Sequence, residues 1–433
     1  MSRLREMHPD DILTIHAAWI HPVGSPPIEN GAVAIQGGKL LALGSSVDVD
    51  RDYPDPVERY EYPEGTLLPG LVNAHAHLEL SYMKGLVPPR EDFTDWIIDL
   101  VRVKRTWTSD EFEKSIRAGR QELIRGGCTA VGDIISAEGE EAALEVHLGA
   151  DLPIRVRAYQ EYLGRFDEGR LPYEADPGKL FSPGLSPHAP YSSDTELFRR
   201  CISLARERGI PLSTHGAEIR WEEKYLLSGT GPLYEFLVKL GFAHDEPKPW
   251  DSVRPSCLAD WLAAENPPGP LQFVHGTWLR KDEYAALQKL GATVVYCPAS
   301  VAYFHAGRDS HPVEGLLAAG IPVALGTDSL ASGHTLNMPE TCTLAARAHP
   351  ALRPATILEM ATMAGARSLA FGNCGSLEPG KEADILVFDS QGLRPGSAEE
   401  SLELAILSGF AVPQLHVIAG EPYAFTELSP LKA

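Results

Sequence analysis

Cysteine is scarce in this chain. Six occur in 433 residues (Cys128, Cys201, Cys257, Cys297, Cys342 and Cys374), and no two form a Cys-x-x-Cys pair. That spacing excludes a disulfide scaffold and a thiolate zinc site, and fits reduced core residues of a cytoplasmic protein. Positive charge is scarce as well. Lys and Arg total 38 against 59 Asp and Glu, a net charge of −21. Such an acidic surface opposes nucleic acid and anionic membranes, and leaves a small molecule as the expected partner. No apolar run approaches the roughly 18 residues of a membrane span before Gly, Pro or a charge interrupts it. The opening Met1-Ser2-Arg3-Leu4-Arg5-Glu6 lacks the apolar stretch of a signal peptide. No Gly-x-Gly-x-x-Gly follows the first strand, which argues against a dinucleotide-binding sheet. What is present, 44% apolar and 22% charged residues, suffices for large buried cores.

Both ends read as β structure. Ile12-Leu13-Thr14-Ile15 is one strand. Ala32-Val33-Ala34-Ile35, the turn Gln36-Gly37-Gly38 and Lys39-Leu40-Leu41-Ala42-Leu43 spell a hairpin. Residues 383–389 and 415–420 are strands of the same kind, so residues 1–66 and 371–433 are expected to build one small β-sandwich-like domain together. Residues 67–370 alternate instead. Strands are predicted at 67–74, 128–135, 154–159, 180–185, 212–215, 271–275, 293–297 and 323–326. Amphipathic stretches lie between them at 110–125, 195–208, 281–290 and 313–319, each followed by a Gly stop. Eight strands alternating with helices predict an α/β fold, a (β/α)₈ barrel. Residues 216–270 make a longer excursion, with the acidic, Pro-rich segment His244–Pro255, expected to border the site.

The chemistry sits where these strands stop. Leu71-Val72-Asn73-Ala74 runs into His75-Ala76-His77, and alternation puts both imidazoles on one side of the strand. Other strands lead to His188, His215, His275 and Asp328. Taken singly, each is an ordinary hydrogen-bonded residue or cap. Six of them at the end where barrels build active sites form a constellation. Three histidines with one carboxylate suit a single Zn²⁺, and Fe²⁺ or Mn²⁺ also accept such a set. Glu218, three residues after His215, would return its carboxylate to that cation if a helical turn begins there.

Pro69-Gly70-Leu71-Val72-Asn73-Ala74-His75-Ala76-His77-Leu78-Glu79-Leu80 resembles the first-strand signature of the amidohydrolase superfamily. Ser186-Pro187-His188-Ala189-Pro190-Tyr191, His215-Gly216-Ala217-Glu218, Val274-His275-Gly276, Leu325-Gly326-Thr327-Asp328-Ser329 and the segment 375–387 resemble later motifs of its cytosine-deaminase and chlorohydrolase-like branch. The resemblance implies a mononuclear metal site in which His75, His77, His215 and Asp328 bind the ion and His275 orients water and substrate. It implies that Glu218 shuttles protons, Asp328 is base toward water, His188 contacts substrate, and Glu79 hydrogen-bonds substrate hydroxyls or is simply a surface polar residue. The implied reaction is deamination of an amino-substituted, purine-like heteroaromatic ring, of the adenosine or aminodeoxyfutalosine type. The alternative is loss of chloride or another group from a triazine-like ring by the same hydroxide chemistry. A homodimer or larger homo-oligomer is also implied. The lysine of dinuclear relatives has no counterpart at a strand end, since Lys179 begins its strand. A catalytically inactive scaffold would be expected to have lost a ligand, and all four are present. Two departures stand out: Ala76 where Thr is frequent, and Cys297-Pro298-Ala299-Ser300-Val301 where the branch often reads Cys-Pro-x-Ser-Asn. Tyr303, Phe304, His305, His311 and His334 lie on the nearby loops, as ring-facing or merely packing residues.

Overall fold

The computed structural model describes residues 1–433 except 91, 150–152, 171, 242–256, 305–310, 390–391, 409–411 and 425–433. From the N-terminus come β1 (Ser2–Arg3), β2 (Ile12–Ile20), β3 (Ile28–Gln36), β4 (Lys39–Ser45) and β5 (Glu58–Pro69). The β3–β4 turn places Gly37 at φ 56° and Gly38 at φ 80°, a conformation that glycine adopts without steric cost. Next come β6 (Leu71–Ala76), β7 (Cys128–Ile135), β8 (Arg155–Tyr162), β9 (Phe181–Pro187), β10 (Leu212–Gly216), β11 (Leu271–His275), β12 (Thr293–Tyr296) and β13 (Val323–Leu325). The C-terminal part adds β14 (Ile385–Asp389), β15 (Pro413–Ile418) and β16 (Glu421–Ala424).

The two ends make one sheet in the order β1-β16-β15-β14-β5-β2-β3-β4. Alternate residues of its strands, among them Leu13, Ile15, Val33, Ile35, Val387 and Val417, bury a single apolar face. The middle makes a second sheet, β6 through β13, paired in chain order and parallel throughout. A backbone bridge from Ala76 to Asp328 joins its first strand to its last. The parallel (β/α)₈ barrel and the separate terminal sheet are therefore both present.

Helices cross over between barrel strands. They are α2 (Phe93–Lys104) and α3 (Ser109–Arg125) after β6, α4 (Glu140–Gly149) after β7, and α5 (Thr195–Arg208) after β9, with α1 (Ser46–Asp52) preceding them in the terminal domain. After β10 come α6 (Glu222–Ser228) and α7 (Pro232–Leu240). Capping sets their limits. Thr108 and Glu111 form a reciprocal capping box on α3, and Asp194 caps α5, which ends at Gly209 with φ 65°. On α5 the residues Leu197, Phe198, Cys201, Ile202 and Ala205 form the buried stripe expected of 3.6-residue periodicity. Among the described residues no helix is long and apolar enough to cross a membrane.

The strand expected at 67–74 is instead two strands. Residues through Pro69 belong to the terminal sheet, where Leu68 pairs with Leu386, and the barrel begins at Leu71. Gly70 is the joint, pressed against Thr129 so closely that a Cβ there would stand 2.0 Å from the threonine hydroxyl. An apolar run that serves two sheets in succession reads as one strand, because periodicity does not register a change of partner.

Candidate active site

Each strand end delivers its side chain to one mouth of the barrel. His75 lies in β6, His77 just beyond it, His215 in β10 and His275 at the end of β11, with His188 following β9 and Asp328 following β13. Ring nitrogens of His75, His77 and His215 lie within 4.8 Å of one another. The His275 ring centroid is 5.3 Å from that of His215, and the His188 centroid 4.7 Å from it. Asp328 joins from the closing strand, its Oδ1 3.7 Å from His77 Nε2 and 3.9 Å from His75 Nε2. These gaps are too wide for hydrogen bonds. They match the separation of roughly 3.4 Å between two ligands of one tetrahedral ion at bond lengths near 2.1 Å.

The donor set fits a divalent cation. Both ring nitrogens of His75 are buried with no hydrogen-bond partner. Such a group is costly unless something else uses its lone pair. Burial and the neighbouring imidazoles hold His75 and His215 well below the usual histidine range, so both are neutral and able to ligate. Burial also lowers His77, against the pull of Asp328. His215 Nδ1–H donates to the His188 carbonyl at 3.0 Å, which leaves its Nε2 lone pair for the cluster. Ser332 Oγ donates to Asp328 Oδ2 at 2.8 Å and orients that carboxylate. Asn73 accepts from the His75 backbone N–H and donates to Thr327 Oγ1, tying the first and last strands behind the histidine cluster.

Glu218 reaches the site by a different route from the one its spacing predicts. No helical turn begins at His215, and α6 starts only at Glu222. Ala217 turns the chain with φ 49°, and the Glu222 carboxylate accepts from the backbone N–H groups of Ala217 at 2.7 Å and Glu218 at 3.4 Å. That clamped turn brings Glu218 Oε1 to 3.5 Å from His275 Nε2, and Oε2 accepts from Tyr191 O–H at 3.1 Å. Burial, with Asp328 and Glu222 nearby, raises the Glu218 carboxyl well above its usual range, the direction a proton donor requires. His275 has φ 69°, and its carbonyl accepts from His311 Nε2–H at 2.6 Å.

Glu79 is not a surface residue. It is buried, its Oε1 paired with Lys104 Nζ at 2.7 Å and its Oε2 accepting from the Ser136 N–H and hydroxyl. His188 lines a cavity of about 420 Å³ with Tyr191, Lys104 and Glu161, walled on one side by Phe236 and Leu237 of α7. The 216–270 excursion therefore borders the site as expected, while its segment His244–Pro255 lies outside the described residues. Of the loop residues, His311 packs behind His275, and Tyr303 and Phe304 pack on Trp96 of α2. His334 is exposed beside Glu340, and His305 lies outside the described residues. Glu222, Ser332 and Glu161 escape a reading by strand ends. The first sits on a helix and the second in a loop. The third belongs to a strand predicted to stop at residue 159, and β8 runs on to Tyr162.

The sequence profile of the amidohydrolase family matches residues 66–421. The chain belongs to the amidohydrolase family. Among curated amidohydrolase relatives, a 5-methylthioadenosine/S-adenosylhomocysteine deaminase of Nitratidesulfovibrio vulgaris is 29% identical over 91% of this chain and 87% of its own. An aminodeoxyfutalosine deaminase of Deinococcus radiodurans is 30% identical over 78% of this chain and 81% of its own. Among solved structures, an adenosine deaminase from Xanthomonas campestris with bound zinc superposes with a TM-score of 0.73 at 25% identity, covering 97% of this chain and 95% of that one.

Proposed function

We propose that this amidohydrolase is a mononuclear metal-dependent deaminase of a purine-type ring. One observation carries the reading: a buried glutamic acid, Glu218, whose carboxyl burial raises above its usual range, stands 3.5 Å from His275 beside a cluster of histidines and an aspartate that suits one cation. His75, His77, His215 and Asp328 would hold that ion, with zinc the best match to a nitrogen-rich set. When bound, such an ion lowers the pKa of water and supplies hydroxide near neutral pH. His275 aligns the incoming oxygen and the ring. As the O–C bond forms, Glu218 gives its proton to the adjacent ring nitrogen and Asp328 takes one from the water. When the C–N bond breaks, the amine leaves as ammonia with the Asp328 proton, and the hydroxyl proton of the adduct returns to Glu218. The names of the curated relatives support a purine nucleoside as substrate. Six free, buried cysteines support a reducing, cytoplasmic setting.

The test is ammonia release from a panel of aminopurine nucleosides, with metal content measured on the same preparations. Glu218→Gln is expected to keep the metal and to lower kcat by about 10²- to 10⁴-fold. His215→Ala is expected to lose the metal. A Glu218→Gln enzyme with unchanged turnover would overturn the proton-shuttle role, and full metal content in His215→Ala would remove His215 from the ligand set.

A further inference from the structure

Of the carboxyls that line the cavity beside the histidine cluster and that the proposed reaction does not use, Glu161 is the buried one. Glu161 is the next-to-last residue of β8, at the same mouth of the barrel as the proposed ligands. It is only 6% exposed, and its Oε1 is buried without a hydrogen-bond partner. Its neighbours are already engaged. Lys104 is taken by Glu79 at 2.7 Å and Glu138 at 3.4 Å, and both Glu79 oxygens are filled by Lys104 and Ser136. Across the cavity wall His188 Nε2 lies 4.0 Å from Glu161 Oε1. That is beyond a direct hydrogen bond, and it is a span that one hydroxyl oxygen about 2.8 Å from each atom bridges.

Two ligands could use this pair. Glu161, His188 and His215 also lie close enough to hold a cation. His215, however, has one ring nitrogen donating to the His188 carbonyl and the other facing His75 and His77. A neutral imidazole has no third lone pair for a second ion. An organic hydroxyl group needs none. It donates its one proton to the carboxyl oxygen and accepts from the imidazole N–H.

We propose that Glu161 and His188 together grip the vicinal hydroxyls of a glycosyl substituent on the substrate, so that the hydroxyl recognition implied for Glu79 belongs to Glu161. This deepens the reading of the site as a nucleoside deaminase and rests on it. Glu161 acts in specificity, not in proton transfer at the ring. Burial raises its carboxyl to about 8, which leaves it able both to donate and to accept toward a diol at neutral pH.

The probes are adenosine and 2′,3′-dideoxyadenosine, bound to the metal-loaded wild type and to Glu161→Ala and Glu161→Gln, with turnover and metal stoichiometry measured in parallel. Wild type should bind adenosine about 10- to 100-fold more tightly than the dideoxy compound, the effect of hydrogen bonds to an ionisable partner. Glu161→Ala should erase that preference by weakening adenosine alone, and Glu161→Gln should restore part of it. The metal should stay at one ion per chain in all three. Equal binding of the two probes by wild type, an equal loss of both in Glu161→Ala, or a second ion lost with Glu161 would each overturn the proposal. If the ribose preference is present and no ammonia is released, the deaminase reading fails while this one stands. If ammonia is released without the preference, the reverse holds.

Discussion

At the scale of single residues, the site is kept at a cost to the fold. Ala217, His275 and Asp328 all have left-handed backbone, at φ 49°, 69° and 59°. For a residue with a Cβ each such conformation costs on the order of 1–3 kcal/mol. His75 adds two buried nitrogens without partners. The surrounding bonds hold these arrangements in place, and Ser332 illustrates how. Its hydroxyl fixes Asp328 Oδ2, so Ser332→Ala leaves the carboxylate proposed as a ligand free to turn. Metal affinity is expected to fall about 10- to 100-fold, the usual effect of removing a partner of a ligand. Competition with a chromogenic chelator measures it, and unchanged affinity would show that Ser332 does not position Asp328. The convergence of the proposed ligands is legible in the sequence, because a histidine that ends an apolar strand needs only alternation to be placed. Glu161 is not, since it lies inside the run Tyr159-Gln160-Glu161-Tyr162, where the expected strand ends too early. Spacing alone points to Glu218 through a helical turn that the fold does not make, because a five-residue reach from Glu222 to Ala217 has no motif to announce it.

At the scale of elements, hydrophobic periodicity placed all eight barrel strands to within a few residues, and β7, β11 and α5 to the residue. It failed where one strand passes into another without a loop. Gly70 marks that junction, and its lack of a side chain is what lets the chain cross Thr129. Gly70→Ala is expected to destabilise by about 1–3 kcal/mol through overpacking. Thr129→Gly in the same chain removes the three atoms nearest the new methyl, and should recover most of the loss. Urea unfolding midpoints of the two single variants and the double variant decide it. Additive losses would mean that the joint does not depend on this contact.

At the scale of the whole molecule, buried titratable groups pull stability in opposite directions. Burial lowers His21 to about 4 and His188 and His416 to about 3. Their contributions are complete above the unfolded value near 6.5 and are lost as pH falls. Burial raises Glu161 and Glu222 to about 8. Their contributions are complete below the unfolded value near 4.5 and are lost as pH climbs through about 8. Between about pH 4.5 and 6.5 the two sets largely offset one another. From 6.5 to 8 only the carboxyls act, so the metal-free protein should lose stability on the order of 1 kcal/mol per pH unit per carboxyl. Denaturant midpoints across that range measure the slope, and Glu222→Gln should lower it. A flat wild-type profile would mean that these carboxyls ionise normally in the fold.

The barrel shuts where the backbone N–H groups of Thr327 and Asp328 both donate to the His75 carbonyl, at 3.1 Å each. The side chains of His75 and Asp328 therefore hang from the same seam. Asn73 and Thr327, which also meet there, are 254 residues apart in the chain. An ion held between those side chains is a clasp on the longest loop of the domain, and closing so long a loop carries an entropic cost that the clasp helps to offset. For this protein a chelator would be more than an inhibitor, because taking the ion would also loosen the hoop that the other staves lean on.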